Sequence, residues 1–87
     1  MFKYLLTFKS LTYAQRGLNI LSRAGIAGDI VRTPKGISSA GCGYGIRISG
    51  KDYIKANDLL SAVLIFPERI FSIDRSGKYS EVQHDIS

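Results

Sequence analysis

The chain has a single thiol, and its surroundings are unusual. Cys42 lies between Gly41 and Gly43 in the stretch Pro-Lys-Gly-Ile-Ser-Ser-Ala-Gly-Cys-Gly-Tyr-Gly, residues 34–45. Five of the nine glycines fall between Gly36 and Gly50. A lone cysteine is ordinarily a small buried hydrophobe. Glycine on both sides suits instead a thiol that must be approached closely, and successive bare N–H groups can form a nest for an anion. Lys35 and Arg47 bracket the stretch and would favour the thiolate, the nucleophilic form. The Ser38 and Ser39 hydroxyls could donate hydrogen bonds to a sulfur anion. Both readings, inert and reactive, stay open on chemistry alone.

Two binding chemistries also touch this stretch. Gly41-x-Gly43-x-Gly45 resembles a phosphate loop, but such loops follow a strand and open a helix, and these glycines lead into a strand. Gly43-Tyr44-Gly45-Ile46 matches part of the aromatic motif on the third strand of RNA-recognition domains. Cys42 replaces the basic residue there and Ile46 the second aromatic. Were Tyr44, Ile46 and Ile48 turned to solvent, only Gly45 and Arg47 would face the core, so Tyr44 is expected inside. A non-catalytic RNA- or protein-binding module remains the alternative to a reactive thiol. Elsewhere, His84 stands in a polar tail with no visible partner, and Asp52 and Asp58 are six apart, which is no acid–base pair.

The elements that must hold this stretch are legible in periodicity. Phe2, Tyr4, Leu6 and Phe8 alternate with Lys3, Leu5, Thr7 and Lys9, predicting a strand with one buried face. Ser10, or Thr12 with Gln15, caps a helix whose stripe is Leu11, Ala14, Leu18 and Leu21. Gly17 on that stripe permits close approach to a sheet, and Gly25 is the left-handed stop. Asp29–Thr33 reads as a second strand closed by Pro34, and Tyr44, Ile46 and Ile48 as a third. Asp52 caps a second helix with inner residues Tyr53, Ala56, Leu59 or Leu60, and Val63. A fourth strand runs from Arg69 to Asp74; after a turn at Ser76-Gly77, Tyr79–Val82 adds an edge strand. The order β-α-β-β-α-β predicts a ferredoxin-like α+β sandwich, a four-stranded antiparallel sheet with two helices on one face. The connection over residues 34–43 exceeds the usual 4–6 residues or so, and long ordered loops are disproportionately functional.

Composition bounds the rest. Eighty-seven residues, 45% apolar and 22% charged, make one globular domain with a core over about residues 2–74 and a polar segment at 75–87. One Cys cannot form an internal disulfide, and one His with one Cys does not make a protein-only zinc site, so neither metal nor cofactor is expected. The start lacks a signal-peptide pattern, and the longest nearly apolar run, Leu59–Phe66, falls far short of the ~20 residues of a membrane span. A cytoplasmic protein is expected. Residues 1–51 carry eight Lys or Arg and one acid, Asp29, whereas residues 52–87 carry four against six. The basic half fits docking onto an acidic partner or, as the alternative, nucleic acid. An exposed edge at the second strand or the C-terminal segment would also permit a homodimer.

Tyr4-Leu-Leu-Thr-Phe-Lys-Ser10, Ala24-Gly25-Ile26, Thr33-Pro34-Lys35 with Ile37-Ser38, and Gly41-Cys42-Gly43-Tyr44-Gly45-Ile46-Arg47 together resemble the selenium/sulfur carrier-like family of small bacterial domains. The resemblance spans about residues 3–65. It implies a carrier rather than an enzyme with its own turnover, associated with cysteine desulfurases and TusA-like sulfurtransferases. On this resemblance Cys42 would hold the transferred sulfur or selenium. Gly41 and Gly43 would give access, and Arg47 or Lys35 would stabilise the anion.

Overall fold

A computed structural model describes residues 3–33 and 43–82. Its elements are β1 (Lys3–Phe8), α1 (Leu11–Arg23), β2 (Gly28–Arg32), β3 (Tyr44–Ser49), a 3-10 turn (Gly50–Asp52), α2 (Tyr53–Ala62), β4 (Arg69–Ile73) and β5 (Tyr79–Val82). Neighbouring strands are antiparallel and the sheet order is β2-β3-β1-β4-β5. Each helix therefore links strands that flank a third, which is the ferredoxin-like arrangement, here with β5 added beyond β4.

The register assigns the faces. Leu6 pairs with Ile46 on one side and Ile70 on the other, and these join Phe8, Ile48, Ala14, Leu21, Ala56 and Leu60 in one core. Both helices thus cover the same face. Tyr44 pairs with Phe8 and packs against that core, as expected from the filling argument. At ~25 cal/mol per Å², the large apolar side chains enclosed here supply the main force for folding.

Local chemistry explains the helix ends. Ser10 caps α1, its Oγ accepting from the Tyr13 N–H at 3.3 Å. Gly17 faces inward, where a Cβ would sit 3.1 Å from Ile46 Cδ1, so any side chain there would require Ile46 to give by a few tenths of an ångström. Both helices end alike: Ile26 N–H donates to Leu21 O and Gly25 N–H to Ser22 O, while Ile65 N–H donates to Leu60 O and Leu64 N–H to Ser61 O. This is the Schellman motif, whose turning residue is left-handed. Gly25 adopts φ +83° without strain; Leu64 does so at +61° with a side chain that disfavours it.

Several expectations need correction. β1 is buried on both faces, not one, because Leu5 and Thr7 are enclosed on the side away from the helices. Asp52 precedes α2 but makes no side-chain cap bond; the 3-10 turn enters the helix instead. Val63 is not an inner residue of α2: it is the C-cap and 48% exposed.

Candidate functional site

The described residues on either side of the glycine-rich stretch are joined to each other. Arg32 and Tyr44 are the last paired residues of β2 and β3, and beyond them the Thr33 N–H donates to the Gly43 carbonyl at 3.0 Å. Thr33 and Gly43 are both buried. Thr33 and Gly43, the described residues that flank the stretch, therefore stand directly across the ladder from each other. Pro34, Lys35, Ser38, Ser39, Gly41 and Cys42 lie between these two residues in the chain and outside the described ones; His84, in the C-terminal segment, is also outside them.

Alternation turns Thr33, Gly43 and Gly45 to the face away from the helices. Gly45 is there for packing rather than access. A Cβ at Gly45 would meet Leu5 Cδ1 at 2.6 Å, and the fully buried Leu5 fills that space. Thr33 is 9% exposed, and its Oγ1 has no hydrogen-bond partner. Thr7, two strands away on the same face, differs: its Oγ1 donates to Arg69 O at 3.1 Å and accepts from Arg69 N–H at 3.0 Å.

Of the two cations expected beside the thiol, Arg47 is described. Arg47 lies four residues from Gly43 along β3, about 13 Å at the usual rise. Its Nη2 sits 3.5 Å from Asp29 Oδ2, its partner in the β2–β3 register. Both line a shallow cleft of ≈ 230 Å³ with Lys3, Gly28 and Ser49, at the end where β1 begins. The structure thus brings Gly43, but not Arg47, to the mouth of the stretch. Arg32 is a described cation at that mouth; its guanidinium carbon lies 6.0 Å from the Tyr44 ring centroid, at the outer limit of a cation–π contact. Sequence reasoning passed over Arg32, although its place just before Thr33-Pro34 could have marked it.

A second feature at this end was also missed. Phe8, whose partner is Tyr44, forms the floor of a groove of ≈ 390 Å³ with Lys9, Tyr13, Leu64, Phe66 and Glu68. Leu64 and Phe66 are 77% and 63% exposed, and Lys9 Nζ stands 3.9 Å from Glu68 Oε2 across the rim. The signal was the apolar run Leu59–Phe66, which helix burial leaves half unused. RNA stacking finds no support on β3, since Tyr44 faces the helices and the opposite face there carries Gly43, Gly45 and Arg47.

Among the described residues no three His, Cys, Asp or Glu side chains lie together as an ion would require. No helix among them is long and apolar enough to cross a membrane. No curated protein and no solved structure shows a significant match to the chain. One family model matches residues 3–72, a span that covers β1 through most of β4 and encloses the glycine-rich stretch. The chain belongs to the family described as "Putative Se/S carrier protein-like".

Proposed function

We propose that this protein is a sulfur or selenium carrier that holds its cargo on Cys42 and hands it to an acceptor protein. Family membership over residues 3–72, which enclose the chain's one thiol, carries the reading. In the loading step the Cys42 thiolate attacks the outer sulfur of a donor Cys–S–SH. A bond forms between Cys42 Sγ and that sulfur, the donor's S–S bond breaks, and the donor leaves as a thiolate; the outer sulfur keeps its proton. Nothing is oxidised or reduced overall. Unloading repeats the exchange, with an acceptor nucleophile attacking the outer sulfur and freeing the Cys42 thiolate. With no second cysteine in the chain, no internal disulfide can expel the sulfur, so the cargo departs only to another molecule.

The donor in this reading is a cysteine desulfurase or a TusA-like sulfurtransferase, in a bacterial cytoplasm that keeps thiols reduced. Lys35 and the Ser38 and Ser39 hydroxyls are the groups of the stretch suited to the anion, with Gly41 and Gly43 leaving the thiol open to a partner. The test is incubation with a cysteine desulfurase and cysteine, followed by intact mass. The expected result is a gain of one sulfur atom on the wild type and none on Cys42→Ala. A wild type that stays unmodified where an established carrier is loaded overturns the proposal.

A further inference from the structure

Leu64 is held in a conformation that its side chain opposes, with little burial in return. The two helices end in the same motif, and at its turning position Gly25 is relaxed while Leu64 sits at φ +61°. Strain of this kind persists where the side chain itself has a use, and 77% exposure places that use outside the fold. Two residues on, Phe66 is also largely exposed, and both line the groove of ≈ 390 Å³ whose floor is Phe8. Contiguous apolar surface of this kind on a small domain marks an interaction site.

The described lining comes from two chain segments. Phe8, Lys9 and Tyr13 belong to the junction of β1 and α1, and Leu64, Phe66 and Glu68 to the connection from α2 to β4. Each segment is apolar or aromatic and carries one charge, Lys9 on the first and Glu68 on the second. The patch is therefore complementary to itself. A two-fold axis through the groove sets the Leu64–Glu68 segment of one copy over the Phe8–Tyr13 segment of the other, and the reverse. Glu68 of each copy then meets Lys9 of the other. An acidic partner fits less well, because Glu68 stands on the same rim, 3.9 Å from Lys9. The outer strands suit self-association less, since β2 exposes Asp29 and Arg32 and β5 exposes Ser80 and Glu81.

We infer that this groove is a homodimer interface, in which Leu64 and Phe66 of each copy pack into the groove of the other across a two-fold axis. The dimer does not depend on the carrier reading. An apolar patch on the order of a few hundred Å² is smaller than the roughly 800 Å² per partner of a standard interface, so association is weak and concentration-dependent.

The test is sedimentation equilibrium of the whole chain from about 5 to 500 μM, the range of a weak interface. The wild type is expected to pass from monomer to dimer, more readily at high salt, which screens the +5 charge of each copy. Phe66→Ser and Leu64→Gly are each expected to raise the dissociation constant roughly tenfold or more, since each change is made twice per dimer. Leu64→Gly melts no lower than the wild type, so its loss of dimer is not a loss of fold. Lys9→Glu and Glu68→Lys each set like charges across the axis and weaken the dimer, whereas the two variants mixed restore both pairs and associate more tightly than either alone. A wild type that stays monomeric throughout overturns the inference. So does a dimer indifferent to Leu64 and Phe66, which moves the contact to a sheet edge, and so does a mixture of charge variants no tighter than its components. A monomeric wild type whose loading by a cysteine desulfurase falls in Leu64→Gly and Phe66→Ser gives the groove to the donor protein and overturns the dimer. A wild type that dimerises but takes no sulfur refutes the carrier reading alone.

Discussion

Thr7 and Thr33 are two buried threonines on the same sheet face, and they are bonded in opposite ways. Thr7 ties β1 to the start of β4 three times: its carbonyl accepts from Glu68 N–H at 2.7 Å, and its hydroxyl both donates to and accepts from the Arg69 backbone. Thr33 contributes its backbone to the β2–β3 ladder and leaves its hydroxyl unused. The first arrangement is that of a finished structural joint. The second leaves a buried hydroxyl without a partner. The same residue type, similarly buried, is thus satisfied at one place on this face and unsatisfied at another.

The strongest way to break the comparison is at Thr7. Thr7→Val removes both hydroxyl bonds to Arg69 and is expected to destabilise the fold by about 2–3 kcal/mol, measured by denaturant unfolding. A loss as small as that at Thr33 would erase the contrast. Gly45, which faces Thr7 across the β1–β3 ladder, tests the packing of the same face. Gly45→Ala forces a methyl against Leu5 and is expected to cost roughly 1–2 kcal/mol by the same assay. The helix ends offer a parallel contrast, Gly25 unstrained and Leu64 strained in one motif. Leu64→Gly relieves the left-handed side chain, which is 77% exposed, and is expected to add about 1 kcal/mol in the same assay. Thr33→Val should change stability by less than about 0.5 kcal/mol, or raise it, because only an unsatisfied hydroxyl is lost.

The smallest effect concerns the hairpin beyond β4. Asp74 Oδ1 accepts from the Ser76 hydroxyl at 2.7 Å and from the Ser76 and Lys78 N–H groups, each at 2.9 Å. The Ser76 bond first, and the backbone bond from Lys78 next, hold its carboxyl below the ordinary value of 3.8. A depressed folded-state value means stability present above the ordinary carboxylate range and lost as pH falls through the lowered one. A melting series from about pH 5 downward should therefore show a steeper decline in the wild type than in Asp74→Asn, which keeps an acceptor but no titration. Parallel curves would mean that this turn contributes nothing to acid sensitivity.

Much of the fold was legible because its causes are local. Tyr4, Leu6 and Phe8 alternate, Ala14, Gly17 and Leu21 recur at helical spacing, and Ser10 and Gly25 carry the chemistry of a start and a stop. Tyr44 could be placed inward by asking what else would fill the core. The failures lie where distant pairing decides. Leu5 and Thr7 read as the solvent side of β1 and are enclosed. Asp52 has the chemistry of a cap, but a 3-10 turn takes its place. Arg47 is five residues from Cys42 in the chain, yet a strand carries its charge away from Gly43 and into the register of Asp29.

By itself, then, the sequence determined the element order, the inward stripes and the single thiol among glycines, because each depends on residue type and spacing within a few positions. Tertiary structure alone decided which of two buried threonines is satisfied, which described cation stands at Thr33 and Gly43, and which glycine serves packing. Those outcomes depend on strand register, and register joins residues far apart in the chain: Thr7 with Arg69, Gly45 with Leu5, Thr33 with Gly43.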